Sequence, residues 1–401
     1  MLCSIKKNLG EHYTPMYFLG ALGAGGLGVS FYMFLHWMVD HPNVPFATAD
    51  FVYPLIEKMN FVSILILISM AMFVYLAYAH FRLLIWNFSE YFEFKKTEGY
   101  TNLMNSNSEV TLMAIPLTLA MTINVCFIIG ALFIPKLWNH VESLFPFSLA
   151  AFFVVGIYAL YIYMRYAIRI ISNPSFDFSK NNNLSQLIAP FAFSMVAVGF
   201  SAPGAMSHHK ETYAFGMFFA IFFSVITISL CILILIIGFK NILEHGLAKE
   251  AGVSLWTMIP ILTLLGITFY RLTAGFSHNM GATVGRTWYF LLTSTIESFQ
   301  WLFLLLGLVV MQSIGYFSKY IFGPAKSVTG FAIVCPGVAF VVFGFFFVNG
   351  GLVQSKVITK YSVAYFIIHS FFWIVQAVTT FVLFKLNNKL FSNDVDEQLP
   401  P

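Results

Sequence analysis

Charge is what this 401-residue sequence has least of: Asp, Glu, Lys and Arg together make up 9% of it. A soluble domain carries about a quarter, so a soluble fold of any class is excluded. Cysteine is also scarce. Cys3, Cys126, Cys231 and Cys335 are the four present, and they have neither paired spacing nor the spacing of metal ligands. That excludes a disulfide framework and offers no metal site. There is no phosphate-cradling glycine loop, no H-E-x-x-H pair and no nucleophile elbow, so ATP-driven pumping and membrane proteolysis lack support and no cofactor is expected. No dense basic cluster is present for nucleic acid or lipid headgroups, and the net charge of +4 reflects topology.

What is present is apolar. Hydrophobic residues make up 59% of the chain and 47 residues are Phe, with a mean hydropathy of +0.81. Ten stretches are long enough to cross a bilayer, at roughly 15–38, 58–87, 110–135, 147–172, 184–206, 213–243, 254–275, 287–317, 329–350 and 361–390. They predict an all-α integral membrane protein with one transmembrane domain over 1–401. The first stretch is longer than the roughly 7–15 residues of a signal-peptide core and lacks a small-residue cleavage pattern, so it reads as a retained span. The polar stretches at 89–109 and 172–185 read as solvated loops. Of the 21 Lys and Arg residues, 14 lie at the termini or after even-numbered spans, among them Lys6, Lys7, Lys95, Lys96 and Lys180. By the positive-inside rule both termini are cytoplasmic, in the cell's inner (plasma) membrane. Arg271 and Arg286, assigned to an outside loop, run against that bias.

The odd-numbered spans carry an internal repeat. "VTLMAIPLTLAMTINV" (Pro116), "LSQLIAPFAFSMVAVG" (Pro190), "VSLWTMIPILTLLGIT" (Pro260) and "GFAIVCPGVAFVVFG" (Pro336) each place proline about seven residues into a span, and successive prolines are 74, 70 and 76 residues apart. Pro15 in "HYTPMYFLGALGAGG" marks a looser fifth copy. A two-helix repeat returns the chain to the same side each time, so the expectation is five parallel helical hairpins around a central pore. The prolines would kink the inner helices and free the carbonyls of Leu112, Gln186, Trp256 and Ala332, which a water-filled cavity tolerates and lipid does not. Thr118, Thr122, Asn124, Ser194 and Thr263 are the expected polar pore lining. The pre-proline residues Ile115, Ala189, Ile259 and Cys335 would form a hydrophobic collar that gates by dewetting.

Ten spans, proline-bearing odd helices and the opening "TPMYFLGALGAGG" together resemble the tellurite-resistance and C4-dicarboxylate transporter family, which includes the bacterial TehA proteins and the plant slow anion channels. The resemblance covers most of the chain. It implies a pseudo-fivefold bundle, often a homotrimer with one pore per subunit, that passes small inorganic or organic anions. In that family a phenylalanine on the ninth helix plugs the pore, and in the plant channels it directly precedes the helix's proline. Matching that motif puts Cys335 at the gate position. A cysteine there departs from the family pattern and resembles the TsoY branch of related membrane (seleno)proteins, where cysteine or selenocysteine before this proline is expected.

Glu297, in "LLTSTIESFQWLFLLL", is an acid inside the eighth span, where an ionisable group must face protein or water. It reads as a packing residue near Gln300 or as a counter-charge near the pore. His80, His278 and the "SHHKE" turn with His208, His209 and Lys210 fall near span ends; adjacent histidines do not share a helical face, which argues against a metal site. Two readings follow. One is a channel or transporter for small anions with Cys335 at its gate, which is not an enzyme. The alternative is a membrane thiol oxidoreductase built on Cys335, which lacks a resolving cysteine.

Overall fold

A computed structural model describes residues 5–172, 176–177 and 181–391 of the chain. Ten helical stretches are long and apolar enough to cross a membrane: Pro15–Met38, Phe61–Phe94, Asn107–Phe133, Leu137–Ser172, Ser185–Met206, Lys210–His245, Lys249–Met280, Arg286–Ser313, Val328–Val353 and Val363–Phe391. No strand occurs among the described residues. Cys3 and Lys180 lie outside them, as does part of the expected loop at 172–185.

The spans fall into two classes by burial. In the odd-numbered spans 83, 61, 94, 89 and 83% of the most apolar stretch is buried, against 28, 39, 28, 22 and 28% in the even-numbered ones. Side chains such as Phe147, Phe218, Leu302 and Ile367 on the even spans are openly exposed. An apolar belt of that extent is stable only against lipid. Each odd span touches the next odd span, the ninth also touches the first, and each odd span packs on the even span that follows it. Small residues allow the closest crossings. At the contact of the fifth and sixth spans, a Cβ on Gly216 would lie 2.7 Å from the backbone nitrogen of Gly204, so only glycine fits there.

The repeated prolines do not kink continuous α-helices, which corrects the sequence expectation. Four odd spans begin as 3₁₀ turns, Asn107–Met113, Ser185–Leu187, Lys249–Trp256 and Val328–Ile333, and become α-helical at Ala114, Ile188, Met258 and Val334. Pro116, Pro190, Pro260 and Pro336 therefore each stand third in an α-helix. Amides of a first helical turn have no intrahelical partner, so a residue without N–H costs nothing there. Pro15 opens a 3₁₀ turn, and the third residue of the α-helix Phe18–Met38 is Gly20, so Pro15 is out of register with the other four.

Two further boundaries differ. The polar stretch 89–109 is largely helical: the second span's helix runs to Phe94, and Glu98–Met104 forms another. It is ordered by the segment before the first span. The Trp86 indole donates to the Lys6 carbonyl at 2.7 Å, and the amides of Asn8 and Leu9 donate to the Glu90 carboxylate at 3.0 and 2.8 Å. The seventh span continues to Met280 and stops at Gly281, whose φ of +69° is the left-handed cap that glycine favours. Arg271 is therefore inside a helix and not in a loop.

Candidate functional site

Two cavities lie among the odd spans. The larger, about 770 Å³, opens between their C-terminal ends and is bordered there by residues of the 41–46 segment. The smaller, about 40 Å³, lies among their N-terminal ends. Phe191, Pro260 and Cys335, from the fifth, seventh and ninth spans, border both. Cys335 is 8% exposed and sits where the two cavities approach each other.

The other collar residues are placed differently. Ile115, Ala189 and Ile259 line neither cavity and belong to the continuous buried core. Pro116 and Pro190 line neither, and Pro336 borders the smaller one only. The junction of the cavities is thus asymmetric: Cys335 shares both linings with Phe191 and Pro260, while the isoleucines are used in helix packing. Phe191, one residue after Pro190, is the member that the pre-proline pattern does not mark.

Of the expected polar lining, Asn124 and Thr263 face the larger cavity. Thr118, Thr122 and Ser194 do not; their hydroxyls donate to Ala114, Thr118 and Phe191 carbonyls at 2.8, 2.9 and 2.8 Å. Such back-bonding within a helix is the common fate of Ser and Thr in apolar surroundings. The Thr263 hydroxyl donates to the Ala339 carbonyl at 2.9 Å and accepts from the Gln300 amide at 2.6 Å. Glu297 lines neither cavity and is 4% exposed. Neither of its carboxyl oxygens reaches hydrogen-bond geometry, and the Trp301 indole is the polar group beside it.

The lining of the larger cavity contains no Asp or Glu and one permanent cation, Arg271. Its Nη1 donates to the Val198 carbonyl at 3.2 Å, and no ion pair to Arg271 is present among the described residues. Tyr32 and His36 lie within its electrostatic reach. His36, His41, His208 and His278 also line the cavity. The His36 and His41 rings stack at 5.2 Å, and those of His208 and His278 are 5.0 Å apart. The two ring nitrogens of His41 face the carbonyls of Val44 and His36 at 2.7 and 2.8 Å, which ties the 41–46 segment to the end of the first span. His36 Nδ1 and Trp37 Nε1 are buried without a protein partner. No cluster of three or more potential metal ligands occurs among the described residues.

Arg271 was read from the sequence as an outside-loop residue, so its place inside the seventh span's helix comes from the fold. His36, Trp37 and His41 carried no signal. Their place in the site depends on the fold of the 39–48 segment, which follows no repeat. Among the other cysteines, Cys126 is exposed and Cys231 buried. No family model matches the chain, and no curated protein matches it either.

Proposed function

We propose that the chain is a conduit for small anions across a lipid bilayer, with the larger cavity as its vestibule and Cys335, Phe191 and Pro260 as its gate. The observation that carries this reading is the acid-free lining around Arg271. A cavity with one fixed cation and no carboxylate favours anions and repels cations. The contact circuit of odd spans supports five parallel hairpins around a central pore, and it fits the resemblance to the tellurite-resistance and C4-dicarboxylate transporter family. In this reading both termini are cytoplasmic, the vestibule faces outward and the protein is a homotrimer with one pore per subunit. Passage through the gate requires the Phe191 ring to move, because a closed apolar constriction stays dry.

The test is anion efflux from liposomes carrying the full chain, with valinomycin balancing charge, for wild type, Cys335→Ala and Phe191→Ala. Protein-dependent nitrate or chloride efflux is expected, faster in Phe191→Ala and blocked by a methanethiosulfonate reagent in wild type but not in Cys335→Ala. If no form passes chloride, nitrate, sulfite or a dicarboxylate, the conduit is wrong, and thiol chemistry at Cys335 becomes the reading to pursue.

A further inference from the structure

The larger cavity has far more room than a small inorganic anion needs. At about 30 Å³ per water it would hold roughly twenty-five waters, and its volume of about 770 Å³ lies in the range of pockets that enclose whole organic ligands. Most of that wall is apolar, including Phe127, Phe152, Met195, Val338, Val342 and Phe346. Its polar groups are not spread evenly. Arg271 stands with His36 and Tyr32, and Trp37 packs on His36 with ring centroids 4.7 Å apart. Below Arg271, the same face of the seventh span presents Ile267, Leu264 and Pro260 to the cavity, at the four- and three-residue steps of one helical face. At 1.5 Å per residue, Arg271 is about 16 Å along the axis from Pro260 at the constriction.

We infer that the cavity is a binding site for an amphipathic organic monoanion, a carboxylate with an aliphatic or aromatic body. This rests on the reading above that the cavity admits anions. The carboxylate sits on the Arg271 guanidinium, which lines the cavity with one carbonyl partner and no acid. A carboxylate is the group that a guanidinium with unused donors pairs with most strongly. The apolar body extends towards Cys335 and displaces water from Ile267, Val338 and Val342. A small inorganic anion satisfies only the polar end of the site, and a dianion brings a second charge into a wall with no second permanent cation.

The experiment is saturable binding of straight-chain carboxylates, butanoate to octanoate, to the full chain in lipid nanodiscs by titration calorimetry, with nitrate as the anion lacking a body. Affinity is expected to rise about fourfold per added methylene. Arg271→Gln weakens every member by tenfold or more and keeps the gradient, whereas Ile267→Trp fills the space for the body and flattens the gradient. Nitrate binding as tightly as octanoate, or octanoate binding unchanged in Arg271→Gln, would overturn the proposal. Nitrate efflux from the same preparation separates the two ideas. Efflux without graded binding removes this site alone, and graded binding without efflux removes the conduit alone.

Discussion

The two ends of the bundle treat charge in opposite ways. Where the odd spans begin, acids are held by donors. Glu109 receives Arg165 Nε at 3.2 Å and Arg169 Nε at 2.7 Å, Glu90 accepts two backbone amides, and the Ser327 hydroxyl donates to Glu250 at 2.6 Å. The cavity there is small. Where the odd spans end, the cavity is large and Arg271 has one carbonyl and no acid. Glu142, near that mouth, is turned away to accept from the Ser207 hydroxyl at 2.7 Å and the His208 amide at 2.8 Å. Neutralised charge fixes loops to helices, whereas a charge left without a counter-ion is available to a ligand.

The largest effect expected is at the neutralised end. Glu109→Ala leaves two guanidinium groups without their carboxylate. Breaking a buried pair costs about 3–5 kcal/mol, and the loss here should fall near the bottom of that range because Arg165 is 35% exposed. Thermal unfolding in detergent reads this loss, and efflux per folded molecule should stay the same. If efflux collapsed while stability held, this end would also belong to the conduction path and the contrast between the ends would fail.

Next in size is Arg271→Gln. Removing a charged hydrogen-bond donor costs about 1.5–3 kcal/mol, which is roughly a 10- to 150-fold loss of nitrate efflux at low anion concentration. Stability should fall by no more than the one hydrogen bond to the Val198 carbonyl, since no ion pair is broken. Arg271→Lys should restore part of the flux. Unchanged efflux in Arg271→Gln would mean that the fixed charge does not recruit the anion.

These two residues also show where the sequence was legible. Ten spans, buried odd helices and the register of four prolines can be read directly, because lipid enforces long apolar runs and a proline repeat of 70 to 76 residues has few other causes. Cys335 could be placed by the same repeat. The start of the α-helices could not, because a proline third in a helix and a proline in its middle look alike when the last residues of the 3₁₀ turn before it are apolar. Arg271 was counted with the outside loop because it lies close to the expected end of the seventh span at 275, and only the cap at Gly281 shows the helix continuing. Phe191 was invisible among 47 phenylalanines. Asymmetry within a repeat is set by tertiary packing and leaves no period to detect.

A smaller effect separates the two kinds of polar side chain on the odd spans. Thr263→Val removes a hydroxyl that lines the larger cavity and joins the seventh, eighth and ninth spans, whereas Ser194→Ala removes one that bonds only within its own helix. A hydrogen bond contributes about 0.5–1.5 kcal/mol net, so Thr263→Val should lower stability by about that much and change nitrate efflux a few-fold. Ser194→Ala should leave both close to wild type. Equal effects would mean that back-bonded hydroxyls also reach the path.

The smallest effect is expected from the only acid that the eighth span buries. Glu297 stands apart from both cavities, and its oxygens lack hydrogen-bond geometry. If it carried protons in exchange for anions, Glu297→Gln would abolish anion uptake driven by a proton gradient while sparing passive efflux. The geometry argues for the opposite result, because a proton carrier needs a hydrogen-bonded route to the anion, and neither Glu297 oxygen has a hydrogen-bond partner or borders a cavity. Glutamine has nearly the same volume and no charge, so gradient-driven uptake, passive efflux and melting temperature should all remain within error of wild type. A selective loss of gradient-driven uptake would place a third kind of charge in the molecule, neither neutralised by donors nor exposed to the vestibule but coupled to transport through the packed helices.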